Sequence, residues 1–132
     1  MSALVCFTSP HGLLALPVAV VRGVVDHLDV VPLPAPAPVG VAGLLRPGRE
    51  ALPVLDVLGT DGRHLLLLSV GGRRFGLIAG EVTHVQKPAA GALGPSPAGP
   101  AGALIAGTLR TADGTVLVVD EHALAARLDR AS

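Results

Sequence analysis

The sequence predicts an all-β chain of two similar small barrels lying side by side, finished by a short C-terminal helix. Three observations predict it. First, sliding the chain along itself by 64 positions brings glycines, apolar runs and acidic strand ends into register without a gap. Gly12-Leu13-Leu14-Ala15 falls on Gly76-Leu77-Ile78-Ala79, Val18 and Val21 on Val82 and Val85, and Val41 to Arg46 on Ile105 to Arg110. Of 68 aligned pairs 15 are identical, roughly twice what a chain so rich in Ala, Leu, Val and Gly gives by chance, and a unit this long suits a small barrel better than a solenoid repeat. Second, half the residues are hydrophobic, yet there are two Phe and no Trp or Tyr. The core must be built from Val, Leu, Ile and Ala, and β-branched Val in short runs favours strands. Third, Gly71-Gly72 and Ala112-Asp113-Gly114 separate apolar runs, the pattern of tight hairpins. The surface where two such barrels meet is the natural place to look for function.

Taken in order, Ala3 to Thr8 reads as a strand, Ser9-Pro10-His11-Gly12 as a turn and Leu13 to Val21 as the returning strand. Proline at every second position from Pro32 to Pro38 fixes φ and removes amide donors, so Val30 to Pro38 is an extended connector or an edge. Val39 to Leu45 and Ala51 to Asp56 form a strand pair around Arg46-Pro47-Gly48-Arg49-Glu50, and Leu65 to Val70 and Arg74 to Ala79 flank Gly71-Gly72. Lys87 to Pro100, poor in charge and without periodicity, is expected as the longest loop, in the place the Pro-rich connector holds in the first half. Thr108 to Arg110 and Thr115 to Val119 make the last hairpin. Asp120 is an N-cap for a helix running to about Arg130, with Glu121 in its first turn, Arg127 and Arg130 in its last, and Leu124 and Leu128 on one face.

At 132 residues the chain is in the single-domain range, divided at about 1–64 and 65–132; whether the halves exchange strands is left open by the sequence. The formal net charge is +0, spread without blocks, so no field draws in a polyanion and nucleic acid is not expected as a main partner. The lone Cys6 cannot close an internal disulfide and has no nearby cation in sequence to lower its pKa, which makes it a buried structural thiol. The longest apolar stretches, 13–21 and 65–70, fall short of the ~20 residues that span a bilayer. No membrane insertion is expected. No positive charge precedes the first apolar run and Pro17 interrupts it, against a signal peptide, so a cytoplasmic protein is expected.

The side chains point to binding and not to catalysis. His11, His27, His64, His84 and His122 are scattered without ligand spacing, so no metal site is expected. Asp26 and Asp29 beside His27 read as a solvated turn. Gly71-Gly72 and Gly12 lack the strand-to-helix context and the lysine of a phosphate loop, and no Gly-x-Ser-x-Gly elbow occurs. Asp56 and Asp120, each ending a strand, read as turn caps. With so little charge, what remains is apolar surface, for which Val21, Val41 and Val85 near barrel edges are the candidates; their competing reading is as core. Exposed strand edges would also accept a partner strand.

The whole chain resembles the CheW-like domain family, the adaptor module of bacterial chemosensory arrays. The resemblance is carried by Leu4-Val5-Cys6-Phe7 followed by Ala15-Leu16-Pro17-Val18, by Pro38 to Gly43, by Ala51 to Val57, and by Phe75 to Val82. Leu104 to Gly107 and Val116 to Asp120 complete it. It implies a pair of five-stranded SH3-like barrels, no catalysis, no cofactor, and a bridge between a chemoreceptor cytoplasmic tip and the regulatory domain of a CheA-type histidine kinase. Where similar proteins carry an Asn-Leu-Arg-Gly turn, this chain has Arg46-Pro47-Gly48-Arg49, so the resemblance carries partner binding to Arg46, Gly48 and Arg49. A family Glu falls on Gly23, and a Val-Asp pair falls on Ala79-Gly80. These departures mark a divergent member with altered partners or a lost contact surface. Two other classes compete. A small-barrel nucleic-acid binder would need a basic stripe and stacking aromatics, which are lacking, and an enzyme subunit would need a pocket of convergent polar groups.

Overall fold

In the computed structural model, residues 3–26, 31–32, 41–45, 52–58, 63–89, 91–95, 104–112 and 114–131 are described. They hold strands β1 (Leu4–Ser9), β2 (Gly12–Pro17), β3 (Val21–Asp26), β4 (Val31–Pro32), β5 (Val41–Leu45), β6 (Leu52–Leu55), β7 (His64–Val70), β8 (Arg73–Ala79), β9 (Val82–Gln86), β10 (Ile105–Thr111) and β11 (Gly114–Val119), then helix α1 (Glu121–Ala131). A 3-10 turn, Val18–Val20, links β2 to β3. The chain is mostly β, as its residue pattern predicts. The strands form two sheets, one of five in the order β10-β11-β2-β1-β9 and one of six in the order β3-β7-β8-β6-β5-β4.

The strand pairs with strong turn signals form as expected. Gly71 and Gly72 take φ of 56° and 83°, the left-handed values that let the β7–β8 hairpin close in two residues. At the first hairpin the Ser9 hydroxyl donates to the Gly12 carbonyl (2.9 Å), and at the last Thr111 Oγ1 donates to the Gly114 carbonyl (2.9 Å). Two strands go beyond the sequence reading: β3, expected in part as a turn, and β9, which carries no strand signal beyond Val82 and Val85.

The internal repeat is real, but its register is not uniformly 64. In the last two strands of each half it is: the bulge in β5 between Val41 and Gly43 recurs in β10 between Ile105 and Gly107. In the first three the spacing is 61. The bulge at Val21–Gly23 in β3 recurs at Val82–His84 in β9, and the two parallel pairings superimpose, with Val118 opposite Ala15 and Val54 opposite Gly76. The gapless alignment set Gly12 on Gly76; Gly12 is an exposed turn residue with φ 106°, whereas Gly76 is buried inside β8. In a chain of Leu, Val, Ala and Gly, chance identities favour a wrong register, and only the bulges and turns reveal the shift.

Each sheet combines strands from both sides of residue 64. The first joins β1 and β2 to β9, β10 and β11; the second joins β3 to β6 with β7 and β8. Within each sheet, β2·β11 or β6·β8 is the parallel pair that joins strands of different halves.

Three apolar clusters follow. Leu4, Cys6, Ala15, Leu109, Val116 and Val118 pack on the first sheet, and Val54, Leu65 and Ile78 on the second. The large cluster, with Phe7, Leu14, Leu16, Leu55, Leu66, Leu68, Phe75, Leu77 and Val119, draws on both sheets and on α1 through Leu124 and Ala125. No charged or polar residue is buried among the described residues. Asp120 caps α1 as predicted: its Oδ1 accepts from the His122 and Ala123 amides at 3.0 and 3.2 Å. Arg73 Nη1 donates to the Ala125 carbonyl (2.9 Å), tying α1 to the β7–β8 hairpin.

Candidate partner-binding surface

The sheets are blunted at one end and open at the other. The edge strand β5 is covered by β4, with Val31 opposite Leu44. At the equivalent place in the other sheet, 64 residues on, Gly94 bridges Thr108, exchanging backbone bonds of 2.7 and 3.3 Å, and Thr108 Oγ1 donates to the Pro95 carbonyl. The Pro-rich connector and the later loop thus do the same job, each hiding an edge that would otherwise offer unpaired backbone groups. At the opposite ends, β3 and β9 have no further strand beside them among the described residues.

These open strands carry apolar surface at matching positions. Val24 on β3 is 44% exposed and Val85 on β9, 61 residues on, is 62% exposed. Along β9 and its flanks, Glu81, Thr83, Val85 and Lys87 are all exposed, while Val82, His84 and Gln86 are half-buried. At the bulge between Val82 and His84 the side chains are tied to one another and to β1. His84 Nδ1 lies 2.9 Å from the Thr83 hydroxyl and Nε2 3.3 Å from Gln86 Oε1, and Thr83 Oγ1 reaches the Cys6 carbonyl at 3.3 Å.

The start of β9 is fixed more firmly still. Gly80 N–H donates to the Thr8 carbonyl (2.8 Å), Thr8 N–H to the Glu81 carbonyl (2.9 Å), and Glu81 N–H to Thr8 Oγ1 (2.8 Å). A Cβ on Gly80 would stand 2.2 Å from Thr8 Oγ1 and 2.6 Å from the Thr8 carbonyl oxygen. No side chain fits at position 80 against Thr8 as the chain lies. His64 Nδ1 takes the Val82 amide at 3.4 Å.

The predicted site residues separate. Val85 is on the open edge. Val21 and Gly23 lie half-buried in β3, Val21 packed against the shared core and Gly23 over Leu67. Val41 is 8% exposed and belongs to the shared core, so its competing reading as core is the one the structure supports: it stands opposite Leu55 in the β5–β6 pair and lies in the cluster that holds Phe75. Arg46, Gly48 and Arg49 lie outside the described residues, as do His27 and Asp29. Val24, Val18 and Leu93, all exposed, were missed. The signal for Val24 was present in the Val24–Val85 identity, which appears only at a spacing of 61.

Chemically the surface offers apolar contact and backbone pairing. Among the described residues no three His, Cys, Asp or Glu side chains gather as metal ligands. Cys6 is fully buried, and desolvation pushes its thiol pKa up, away from the reactive thiolate. No helix is long and apolar enough to cross a membrane among the described residues.

The family model for the CheW-like domain matches residues 3–129. This chain belongs to the CheW-like domain family. A solved relative, the scaffolding protein TtCheW from Thermoanaerobacter tengcongensis, shares the fold with a TM-score of 0.79 at 21% identity, over 90% of this chain and 84% of that one. No curated protein sequence matches. The CheW-like family is one of chemotaxis scaffolds and adaptors, and the two sheets with a C-terminal helix seen here are its architecture.

Proposed function

We propose that this CheW-like protein is a non-catalytic adaptor that couples chemoreceptor tips to a CheA-type histidine kinase. The observation that carries the reading is the CheW-like match over 3–129, nearly the whole chain. The open edges of β3 and β9, with Val24 and Val85 exposed at equivalent positions, supply two separate surfaces, as a bridge requires. Simultaneous occupancy of both lets receptor state alter the populations of kinase states without any turnover at the adaptor. Partner contacts are assigned to the open edges through Val85, Val21 and Gly23, and, from the family resemblance, to Arg46, Gly48 and Arg49. The protein acts in the cytoplasm, where both partners present these parts.

The test is calorimetric titration of the purified chain against the regulatory domain of each CheA-type kinase encoded in its genome. Micromolar or tighter one-to-one binding, weakened about tenfold or more by Val85→Asp or by Arg46→Glu with Arg49→Glu, is expected. A folded protein that binds none of these domains overturns the kinase half of the reading and leaves a CheW-like domain that serves another partner.

A further inference from the structure

Strand β9 has little of its own to hold it in place. Its one ladder, to β1, is broken by the bulge between Val82 and His84, and its other edge meets no strand among the described residues. What fixes it is the way it is entered. Five successive backbone polar groups at the entry all have partners, and the partners come from both sheets. The Gly80 N–H donates to the Thr8 carbonyl (2.8 Å), and the Gly80 carbonyl accepts from the His64 N–H (3.1 Å). The Glu81 N–H donates to Thr8 Oγ1 (2.8 Å), the Glu81 carbonyl accepts from the Thr8 N–H (2.9 Å), and the Val82 N–H donates to His64 Nδ1 (3.4 Å). Three of these five partners are main-chain groups, which any residue but proline supplies. Of the two side-chain partners, the Thr8 hydroxyl makes the short bond, so it is the sequence-specific part of the joint.

We propose that Thr8 is a positioning residue for the partner edge: through Glu81, its hydroxyl sets the direction in which β9 leaves the crossover and so fixes where Val85 stands. The inference rests on the reading of Val85 as a partner contact and deepens it. A bulge adds a residue that the ladder leaves unpaired, so the strand beyond it inherits its placement from the residues before it. Val85, 62% exposed, lies just beyond the bulge, and Glu81 just before it. The Thr8–Glu81 bond is exposed, so water replaces the hydroxyl in its absence. The fold then survives, but the entry to β9 samples more directions. A partner that recognises one of them meets only a fraction of the chains in the competent form, and its apparent affinity falls by that fraction. The first half has no such device. Ser69 of β7 stands in the place of Thr8, and no bond of this kind joins it to the 3-10 turn among the described residues.

Amide hydrogen exchange of the full chain tests the positioning with no partner present. In Thr8→Val the amides of Glu81 to Val85 are expected to exchange about fivefold faster relative to those of the β7–β8 hairpin, and Thr8→Ser is expected to restore the slow rates. Ser69→Ala, at the equivalent place, is expected to leave β9 exchange as it is. Against a CheA-type regulatory domain that binds the wild-type chain, stopped-flow kinetics separate positioning from contact. Thr8→Val is expected to lower the association rate about fivefold and leave dissociation unchanged, with recovery in Thr8→Ser, whereas Val85→Asp is expected to speed dissociation. Exchange at Glu81 to Val85 that does not rise in Thr8→Val, or that rises only in step with β7–β8, overturns the proposal. So does an association rate unchanged by Thr8→Val, or lowered without recovery in Thr8→Ser. Should no regulatory domain bind the wild-type chain, the kinase reading falls alone, and the exchange measurement still decides whether Thr8 sets β9.

Discussion

The chain passes from one sheet to the other at two equivalent places 61 residues apart, and the two passages are built in opposite ways. Between β8 and β9 the link closes tightly on Thr8, through three hydrogen bonds of 2.8–2.9 Å, and Gly80 lies where no side chain fits. Between β2 and β3 the counterpart of Gly80 is Ala19, and the chain bows into the 3-10 turn Val18–Val20, none of it buried, held by the Val18 amide on the Ala3 carbonyl (2.9 Å). The strand equivalent to β1 at this link is β7, with Ser69 in the place of Thr8, and no hydrogen bond of the Thr8 kind joins it to the 3-10 turn among the described residues. The same crossover is thus held by different contacts in the two halves, by a backbone clamp on Thr8 in one and by Val20 and Val21 packed on the core in the other.

Substitution at the two paired positions should expose this asymmetry most strongly. Gly80→Ala drives a methyl into the Thr8 backbone and should cost about 3 kcal/mol in urea denaturation, whereas Ala19→Gly should cost no more than about 1 kcal/mol. Equal losses at the two sites would erase the contrast. A smaller effect is expected at the hydroxyl. Thr8→Val leaves the Glu81 amide without its acceptor and should cost about 1 kcal/mol, while Thr8→Ser keeps the oxygen and should recover most of that loss in the same assay. At the first crossover, Val18→Ser removes exposed apolar surface only and should change stability by less than about 0.5 kcal/mol. A larger loss there would show that the 3-10 turn packs more firmly than its exposure indicates.

The hairpins β1–β2, β7–β8 and β10–β11 and the capped α1 were legible because each is specified locally. A turn of two to four residues with Gly or Asp between apolar runs selects the pairing on its own, and Asp120 supplies the acceptor for the first free amides of α1. β3 and β9 were not legible as strands. Val82-Thr83-His84-Val85-Gln86 sets two polar side chains on its half-buried side, so neither alternation nor a hydrophobic run marks it; it becomes a strand because β1 supplies one ladder and the Thr8 clamp delivers it there. The candidate surface was legible only in part. Val85 was picked out as apolar and near an edge, yet Val41 met the same description and is core, since no residue of β5 itself records that Val31 and Pro32 will cover its edge. Val24 was hidden by the three-residue change in spacing.

By itself the sequence determined the strand-forming runs, the tight turns, the helix cap and the family to which the chain belongs, all of which are written in residues close along the chain or in their order. Only the tertiary structure decided that the halves interleave, with β2 beside β11 and β6 beside β8, which edges are covered, and which valines face outward. Those outcomes rest on contacts between residues tens of positions apart. An apolar side chain favours burial equally well against many neighbours, so its identity does not name its partner; bulges, a glycine that admits a backbone, and the closing of each edge do.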